Sequence, residues 1–322
     1  MTRLASKLWI LSKEQAARIA HHKWFALSRR VARAVFICAL IVYLGYSLTQ
    51  LGWARVWQSL PTGALFYVLL VVSYFLQPAC ELFVYRYLWR ADRPLGLSVF
   101  MRKRVLSNTV FSYSGEAYFF LWARRHLAVP EKLLLHSIKD SNILSGMAGL
   151  LVLFALLAGI AMSGEWRLPA ISQNYGWLYW IAACIPLFLC LGFIFARRKV
   201  TVLGGRQILF VFAIHLTRNL IAQVFQVTLW SLAVPSVPLA GWLNFLAARL
   251  LLSQAMFLPS GNLFLLTAGI GISGALGLPA AEVAAVLLVI AAGYQLMHFV
   301  VMALRPLGDA TIPVAQPGSL GG

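Results

Sequence analysis

Long apolar runs dominate this chain and decide the environment in which it can fold. A helix that crosses a membrane needs about 20 apolar residues, and six runs qualify: 33–50, 63–89, 141–162, 176–195, 207–232 and 281–304. A seventh run, 239–258, is interrupted by polar side chains. Because 61% of the residues are hydrophobic and only 11% are charged, the sequence predicts an all-α, polytopic integral membrane helical bundle with about seven spanning helices.

Two further apolar stretches are broken by small and polar residues. Residues 106–122 contain Ser112-Tyr113-Ser114-Gly115, and residues 260–277 begin after Pro259 with Ser260-Gly261-Asn262. Because such clusters interrupt a spanning helix, we expect both stretches to be re-entrant segments or half-helices. The chain then divides into a basic leader at 1–32, a transmembrane domain at 33–305 and a disordered tail at 306–322.

The Lys and Arg side chains are concentrated in a few stretches. Residues 1–33 carry eight, 86–104 carry six, 124–139 carry four and 197–206 carry four, whereas the connections at 51–62 and 163–175 carry one each. Since cytoplasmic loops are enriched in Lys and Arg, we expect a multi-pass protein of the bacterial inner membrane with a cytosolic amino terminus. Topology accounts for the net charge of +18, so no nucleic-acid partner is predicted. The side of the carboxyl terminus and the oligomeric state are left open.

The residue types of metal, cofactor and nucleotide sites do not occur here in their usual spacing. The four cysteines lie inside apolar runs without a C-x-x-C pair, which predicts no metal site. A G-x-x-x-x-G-K-[ST] sequence is also lacking, so the chain is not its own ATPase. We expect no cofactor, and a role other than that of an enzyme is favoured.

Two arginines lie inside predicted spans. Arg218 is about 18 Å along its helix from Arg206, near the middle of a hydrocarbon core about 30 Å thick, and Arg249 lies at a similar depth. A charge there costs about 2.5–3.5 kcal/mol, so each needs a partner or a wet cavity. His215 and Asn219 share the side of Arg218, and Asn244 lies near Arg249.

Two interpretations of these arginines are open. They could pair with buried acids such as Glu116 or Glu81 and only hold helices together. Alternatively they form a site for a phosphate-bearing substrate, since Arg binds phosphate through two hydrogen bonds. The second interpretation gains from the broken segments, because half-helices starting near Ser114-Gly115 and Ser260-Gly261 would present free N–H groups to an anion. Glu116 would cap the first half-helix and could pair with an Arg.

The chain resembles the lysylphosphatidylglycerol synthase transmembrane-region family of flippase-like membrane proteins. The resemblance rests on the order of hydrophobic segments over about 34–305, on Asn108…Ser114-Gly115-Glu116 after a basic loop, and on Leu258-Pro259-Ser260-Gly261. It implies a lipid transporter or flippase for an anionic or lipid-linked substrate, with membrane lipids as partners and Asn108 among the substrate-binding residues.

Two other functions compete with lipid transport. An integral membrane transferase acting on a lipid would use His136 and Asp140, which lie four residues apart on one helix face and could form a base and its orienting carboxylate. A non-transporting accessory subunit of envelope assembly would tolerate replacement of its intramembrane arginines.

Overall fold

The computed structural model of the protein describes residues 23–90, 95–109, 113–165, 201–253 and 261–304, together with the single positions 188 and 192. These residues form helices and connecting turns, and no strand occurs among them. The helices, numbered here in chain order, are α1 (Lys23–Leu51), α2 (Trp53–Gln58), α3 (Ala64–Trp89), α4 (Leu97–Thr109), α5 (Ser114–His126), α6 (Glu131–Ser163), α7 (Gly205–Ala233), α8 (Leu239–Ser253), α9 (Gly261–Ala275) and α10 (Ala280–Ala303).

Four of the described helices are long and apolar enough to cross a membrane: α3, α6, α7 and α10. They correspond to the predicted spans 63–89, 141–162, 207–232 and 281–304. Large apolar side chains cover their outer faces, since Leu65, Val224 and Phe299 are each more than 60% exposed. An apolar outer face suits lipid rather than water. The prediction of an all-helical architecture is confirmed for the described residues, and four of their helices are long and apolar enough to cross a membrane.

The other three predicted spans do not reach that length in the described residues. The span 33–50 falls within α1, in which Cys38–Leu51 is an apolar stretch below spanning length among the described residues. The span 239–258 corresponds to α8, whose 15 residues extend about 22 Å. The span 176–195 lies outside the described residues apart from two single positions. The total of seven spans therefore stays a prediction.

Helix α6 begins at Glu131, ten residues before the predicted start of its span. The added turns carry Lys132, Lys139 and Asp140, which a search for continuous apolar residues excludes. Their other side chains nevertheless follow helical spacing, because Leu134, Ser137 and Ile138 are all buried. The first three turns of α6 are thus an amphipathic extension of the spanning part.

The segment 106–122, predicted as one broken stretch, consists of parts of two helices that form an antiparallel hairpin, hairpin A (α4 and α5). Phe100 packs against Phe119 with ring centroids 4.9 Å apart, and Ser107 Oγ donates to Glu116 Oε2 at 3.2 Å nearer the turn. Gly115 permits this close approach, because a Cβ at that position would collide with Ser107 Oγ and the Lys103 carbonyl oxygen. The prediction placed the break correctly but truncated both arms.

A second helical pair, hairpin B (α8 and α9), corresponds to the predicted break near 260. Gly241 packs against Leu278, and Gly269 packs against Phe245, so α8 and α9 run in opposite directions. Each helix has 15 described residues, and residues 254–260 between them lie outside the described part of the chain. Gly261 begins α9, and Ser260 lies outside the described residues.

Basic residues gather at one end of the bundle, which we call the basic end. The end of α3 meets the start of α6 there, where Trp89 Nε1 donates to Ser137 Oγ at 2.7 Å. Arg102 Nη2, near the start of α4, donates to the Leu304 carbonyl oxygen after α10 at 3.1 Å. The α5 terminus adds Arg124 and Arg125. Hairpin A therefore starts and ends at the basic end, while hairpin B starts and ends at the opposite end, where α7 stops and α10 begins.

Aromatic side chains fix both hairpins to the long helices. Around hairpin A the rings of α3, α4 and α5 form one buried group: Tyr85, Trp89, Phe100 and Phe119. Around hairpin B the rings of α7 and α8 form another: Trp230, Trp242 and Phe245. Buried aromatic groups of this size contribute much of the packing energy of a fold, so the hairpins are built into the bundle.

Candidate functional site

Residues from both hairpins line a cavity of about 500 Å³, which we call the large cavity. Hairpin A contributes Arg104 and Asn108, and hairpin B contributes Arg249. Helix α10 completes the polar wall with Tyr294, Gln295 and His298. Apolar side chains line the rest of the cavity, among them Leu263, Leu265, Leu266, Leu287 and Ile290. The cavity therefore combines cationic and apolar groups.

A smaller cavity of about 190 Å³ adjoins the large one and shares Arg104 and Tyr294 with it. Its polar wall is completed by side chains from α3 and α7: Ser73, Gln77, Arg218, Asn219, Gln223 and Gln226. Leu76, Ala222 and Leu229 also line it. Three N–H donors of this wall are buried without an acceptor among the described residues: Arg104 Nε, Asn219 Nδ2 and Gln226 Nε2. Buried donors normally have a partner, so this wall is suited to an oxygen-bearing ligand or water.

Arg104 stands between the two cavities in an aromatic cage. Its Cζ lies 4.5 Å from the ring centroid of Tyr74 and 5.4 Å from that of Tyr294. Its Nη1 donates to the Tyr74 carbonyl oxygen at 2.6 Å. Cation–π contacts on two rings hold the guanidinium in place without neutralising it.

The cage itself is held by two hydrogen bonds that join α3 to α10. Tyr74 Oη lies 2.6 Å from His298 Nδ1, and Ser73 Oγ lies 2.9 Å from Tyr294 Oη. Both bonds connect residues far apart in the chain, so the position of Arg104 depends on the packing of α10 against α3.

Arg218 and Arg249 are also held by neutral groups. Arg218 Nη2 donates to Ser145 Oγ and to Asn219 Oδ1, both at 3.0 Å. The Arg249 Cζ lies 5.7 Å from the Trp230 ring centroid. Within the described part of the chain, no carboxylate oxygen comes within 4.0 Å of Arg104, Arg218 or Arg249.

The acids that could have paired with these arginines pair with Lys103 instead. Lys103 Nζ lies 2.7 Å from Glu81 Oε2 and 3.7 Å from Glu116 Oε1, and Gln77 Nε2 donates to Glu81 at 3.0 Å. The structure therefore pairs Glu81 and Glu116 with Lys103, and the predicted pairing of Glu116 with an arginine is not what it contains.

The residues predicted to form one site fall into several places. Asn219 accompanies Arg218 at the small cavity, and Asn108 accompanies Arg249 at the large one. His215 is buried elsewhere, with its Nε2 3.0 Å from Ser141 Oγ.

Three further predicted site residues serve local structure. Asn244 Nδ2 donates to the Glu165 carbonyl oxygen at 2.8 Å at the end opposite the basic end, away from Arg249. Ser114 Oγ donates to the Leu106 carbonyl oxygen at 2.6 Å within hairpin A, where Gly115 provides the close contact. Ser114 and Gly115 begin α5, and neither lines the two cavities.

Four residues at the centre of the site were missed by reasoning from the sequence. Arg104 ends the basic run at 86–104 and was counted with a loop. Tyr294, Gln295 and His298 lie in the apolar run 281–304. The sequence did carry one signal for them: Tyr294 and His298 are four residues apart, with Gln295 beside Tyr294, so the two rings lie on one helix face.

His136 and Asp140 do not form the pair that a transferase would need. Asp140 Oδ2 accepts from Thr201 Oγ1 at 2.6 Å and from the Val202 N–H at 3.0 Å, so this buried carboxylate anchors the chain before α7. His136 is exposed, and its Nδ1 lies 2.7 Å from the Lys132 carbonyl oxygen. The carboxylate therefore orients a loop and not an imidazole.

Fold and site together define a helical protein with apolar helices of membrane-spanning length around a polar, cationic interior. Comparison with family models, with curated proteins and with solved structures finds no match for the chain. The resemblance to the lysylphosphatidylglycerol synthase transmembrane-region family stays a prediction, and the function has to be argued from the site.

Proposed function

We propose that the protein binds a membrane lipid with an anionic head group and moves it between leaflets. The observation that carries the proposal is the set of three arginines, Arg104, Arg218 and Arg249, that line two adjoining cavities without a carboxylate partner among the described residues. An uncompensated charge inside a membrane is costly, whereas a phosphate between guanidiniums offsets that cost through charge-assisted hydrogen bonds.

The lining of the large cavity supports a lipid as the ligand. Arg104 and Arg249 suit a phosphate, and Leu263, Leu266 and Ile290 in the same lining suit an acyl chain. Ligand sites commonly combine an apolar wall with a few polar groups that fix orientation. This amphipathic arrangement is the one that a phospholipid requires.

The two hairpins support movement of the lipid. Hairpin A starts and ends at the basic end and hairpin B at the opposite end, and residues of both line the large cavity. Broken helices that converge near the midplane are typical of transporters in which access alternates between the two sides. Arg104 borders both cavities, so a head group could pass between them without losing its cation. We further propose that the protein lies in the bacterial inner membrane with the basic end in the cytosol.

The test is native mass spectrometry of protein purified in detergent. Wild type is compared with Arg104→Gln, Arg218→Gln and Arg249→Gln, and co-purified phospholipid is quantified. We expect Arg104→Gln and Arg249→Gln to lose lipid roughly tenfold or more, because one charge-assisted hydrogen bond contributes about 1.5–3 kcal/mol. Arg102→Gln is the matched control, since Arg102 lies on the same helix and contacts the Leu304 carbonyl oxygen instead of a cavity.

Movement is tested separately in proteoliposomes that contain an anionic phospholipid with a fluorescent acyl chain. Added dithionite bleaches only the outer leaflet, so bleaching beyond about half of the label reports transport. Wild type and Arg102→Gln should exceed that fraction, and Arg249→Gln should not.

In the mass-spectrometry experiment, unselective lipid adducts on all variants would leave the arginines as packing residues, as an accessory subunit predicts. Activity lost in His136→Ala but kept in Arg249→Ala would favour the transferase.

A further inference from the structure

Positive charge exceeds negative charge around the two cavities. Arg104, Arg218 and Arg249 line them, and Lys103 lies beside Arg104 on α4. Against these four cations stand Glu81 and Glu116, both in contact with Lys103. Two positive charges are therefore unmatched, and protonation of His298 would only add to them.

The other described acids lie too far away to correct this imbalance. Glu131 faces Arg124 at the surface at 3.6 Å, and Asp140 is occupied by Thr201 and Val202. Glu165 is exposed at the end opposite the basic end, where Glu282 occupies the first turn of α10. The described residues thus leave the excess charge to be balanced by a ligand.

The size of the excess points to the class of head group. A phosphodiester such as that of phosphatidylglycerol brings one negative charge, whereas a phosphate monoester brings about 1.5 to 2 at pH 7. A monoester also offers three terminal oxygens to guanidinium donors, and a diphosphate offers more. An unpaired charge in a low-dielectric interior has a high free-energy cost. A ligand that neutralises both excess positive charges is therefore favoured over one that neutralises a single charge.

We propose that the large cavity takes a phosphate monoester or a diphosphate, in preference to a phosphodiester. This inference rests on the proposed function, because the leucines lining the cavity are argued to hold the lipid chain. Arg104 and Arg249 contact the phosphate, and Arg218 acts on it electrostatically from the adjoining cavity.

The experiment compares two lipids that have identical acyl chains, phosphatidic acid and phosphatidylglycerol, binding to the purified full-length protein at pH 7.5. Wild type should bind phosphatidic acid about tenfold more tightly or better, as expected for an additional charge-assisted contact. Arg218→Gln should bring the two affinities close to each other by removing one unmatched charge. Arg102→Gln should keep the wild-type ratio. Glycerol 3-phosphate is added as a competitor that has the same phosphate and no acyl chain.

Each outcome bears on a different claim. Equal affinities in wild type, tighter binding of phosphatidylglycerol, or an unchanged ratio in Arg218→Gln would overturn this inference and leave the proposed function intact. Failure of both lipids to bind would overturn the proposed function and the inference with it. Weak competition by glycerol 3-phosphate supports a lipid as the source of the phosphate. Competition as strong as that of phosphatidic acid supports the phosphate chemistry but assigns the site to a soluble ester.

Discussion

Lys103 and Arg104 are neighbours in the chain, but they face different surroundings. Successive residues of a helix point about 100° apart, so Lys103 turns toward Glu81 and Glu116 while Arg104 turns toward Tyr74 and Tyr294. The first cation is matched by acids and only 3% exposed. The second is caged by aromatic rings beside the cavities. One helix thus carries a structural charge and a charge available to a ligand.

Replacement of Lys103 by Met should destabilise the protein by roughly 3–5 kcal/mol, because it leaves two carboxylates close together without their cation. The free energy of unfolding in detergent, followed by denaturant titration, measures the effect. Lys132→Met, at an exposed position of α6, should change it by less than about 0.5 kcal/mol. Adding Glu81→Gln to Lys103→Met should recover part of the loss. No recovery would mean that Lys103 stabilises the fold through packing and not charge.

The same contrast explains which site residues the sequence could identify. Arg218 and Arg249 were identified because a charge inside an apolar run needs a reason. Arg104 was not identified, because a basic residue at the end of a basic stretch is already explained as part of a cytoplasmic loop. His215 and Asn244 were grouped with the arginines because they lie at a similar depth along their helices. The direction of each side chain depends instead on a contact with a residue distant in the chain, Ser141 for His215 and Glu165 for Asn244. The sequence pattern does not predict such contacts.

At the scale of helices, composition predicted the breaks better than the lengths. The small and polar residues at 112–115 fall at or just before the start of α5, and those at 259–262 fall at or just before the start of α9. The arms of hairpin A were truncated because Arg102, Lys103 and Arg124 interrupt the apolar pattern there. All three of these basic side chains make tertiary contacts, which a search for apolar runs does not anticipate.

Gly115 is the point at which hairpin A tolerates least change. Gly115→Ala would drive a methyl group into Ser107 and the Lys103 backbone, so we expect a loss of roughly 1–3 kcal/mol in the free energy of unfolding. Gly146→Ala is the matched control, because an added Cβ on that exposed turn of α6 meets nothing within 4 Å. It should raise stability by about 0.5–1 kcal/mol through better helix propensity. Similar effects at both positions would contradict the close α4–α5 contact.

At the scale of the whole molecule, the bundle has a basic end and an opposite end. Contacts between helix ends show in which direction each helix runs between them. Helix α3 ends and α6 and α7 begin at the basic end, where Trp89 meets Ser137 and Asp140 meets Thr201. The sequence left the side of the carboxyl terminus open because only Arg305 follows α10 closely. The hydrogen bond from Arg102 to Leu304 puts the end of α10 at the basic end.

This arrangement predicts which positions share a side of the membrane. In a variant without its four native cysteines, single cysteines at Arg124 and Leu304 should react with a membrane-impermeant maleimide from the same side, because both lie at the basic end. A cysteine at Trp57, which is 76% exposed at the other end of α3, should react from the opposite side, since the 26 residues of α3 extend about 39 Å. Labelling of intact cells and inverted vesicles measures this directly. Reaction of Leu304 and Trp57 from one side would refute the assignment of α10.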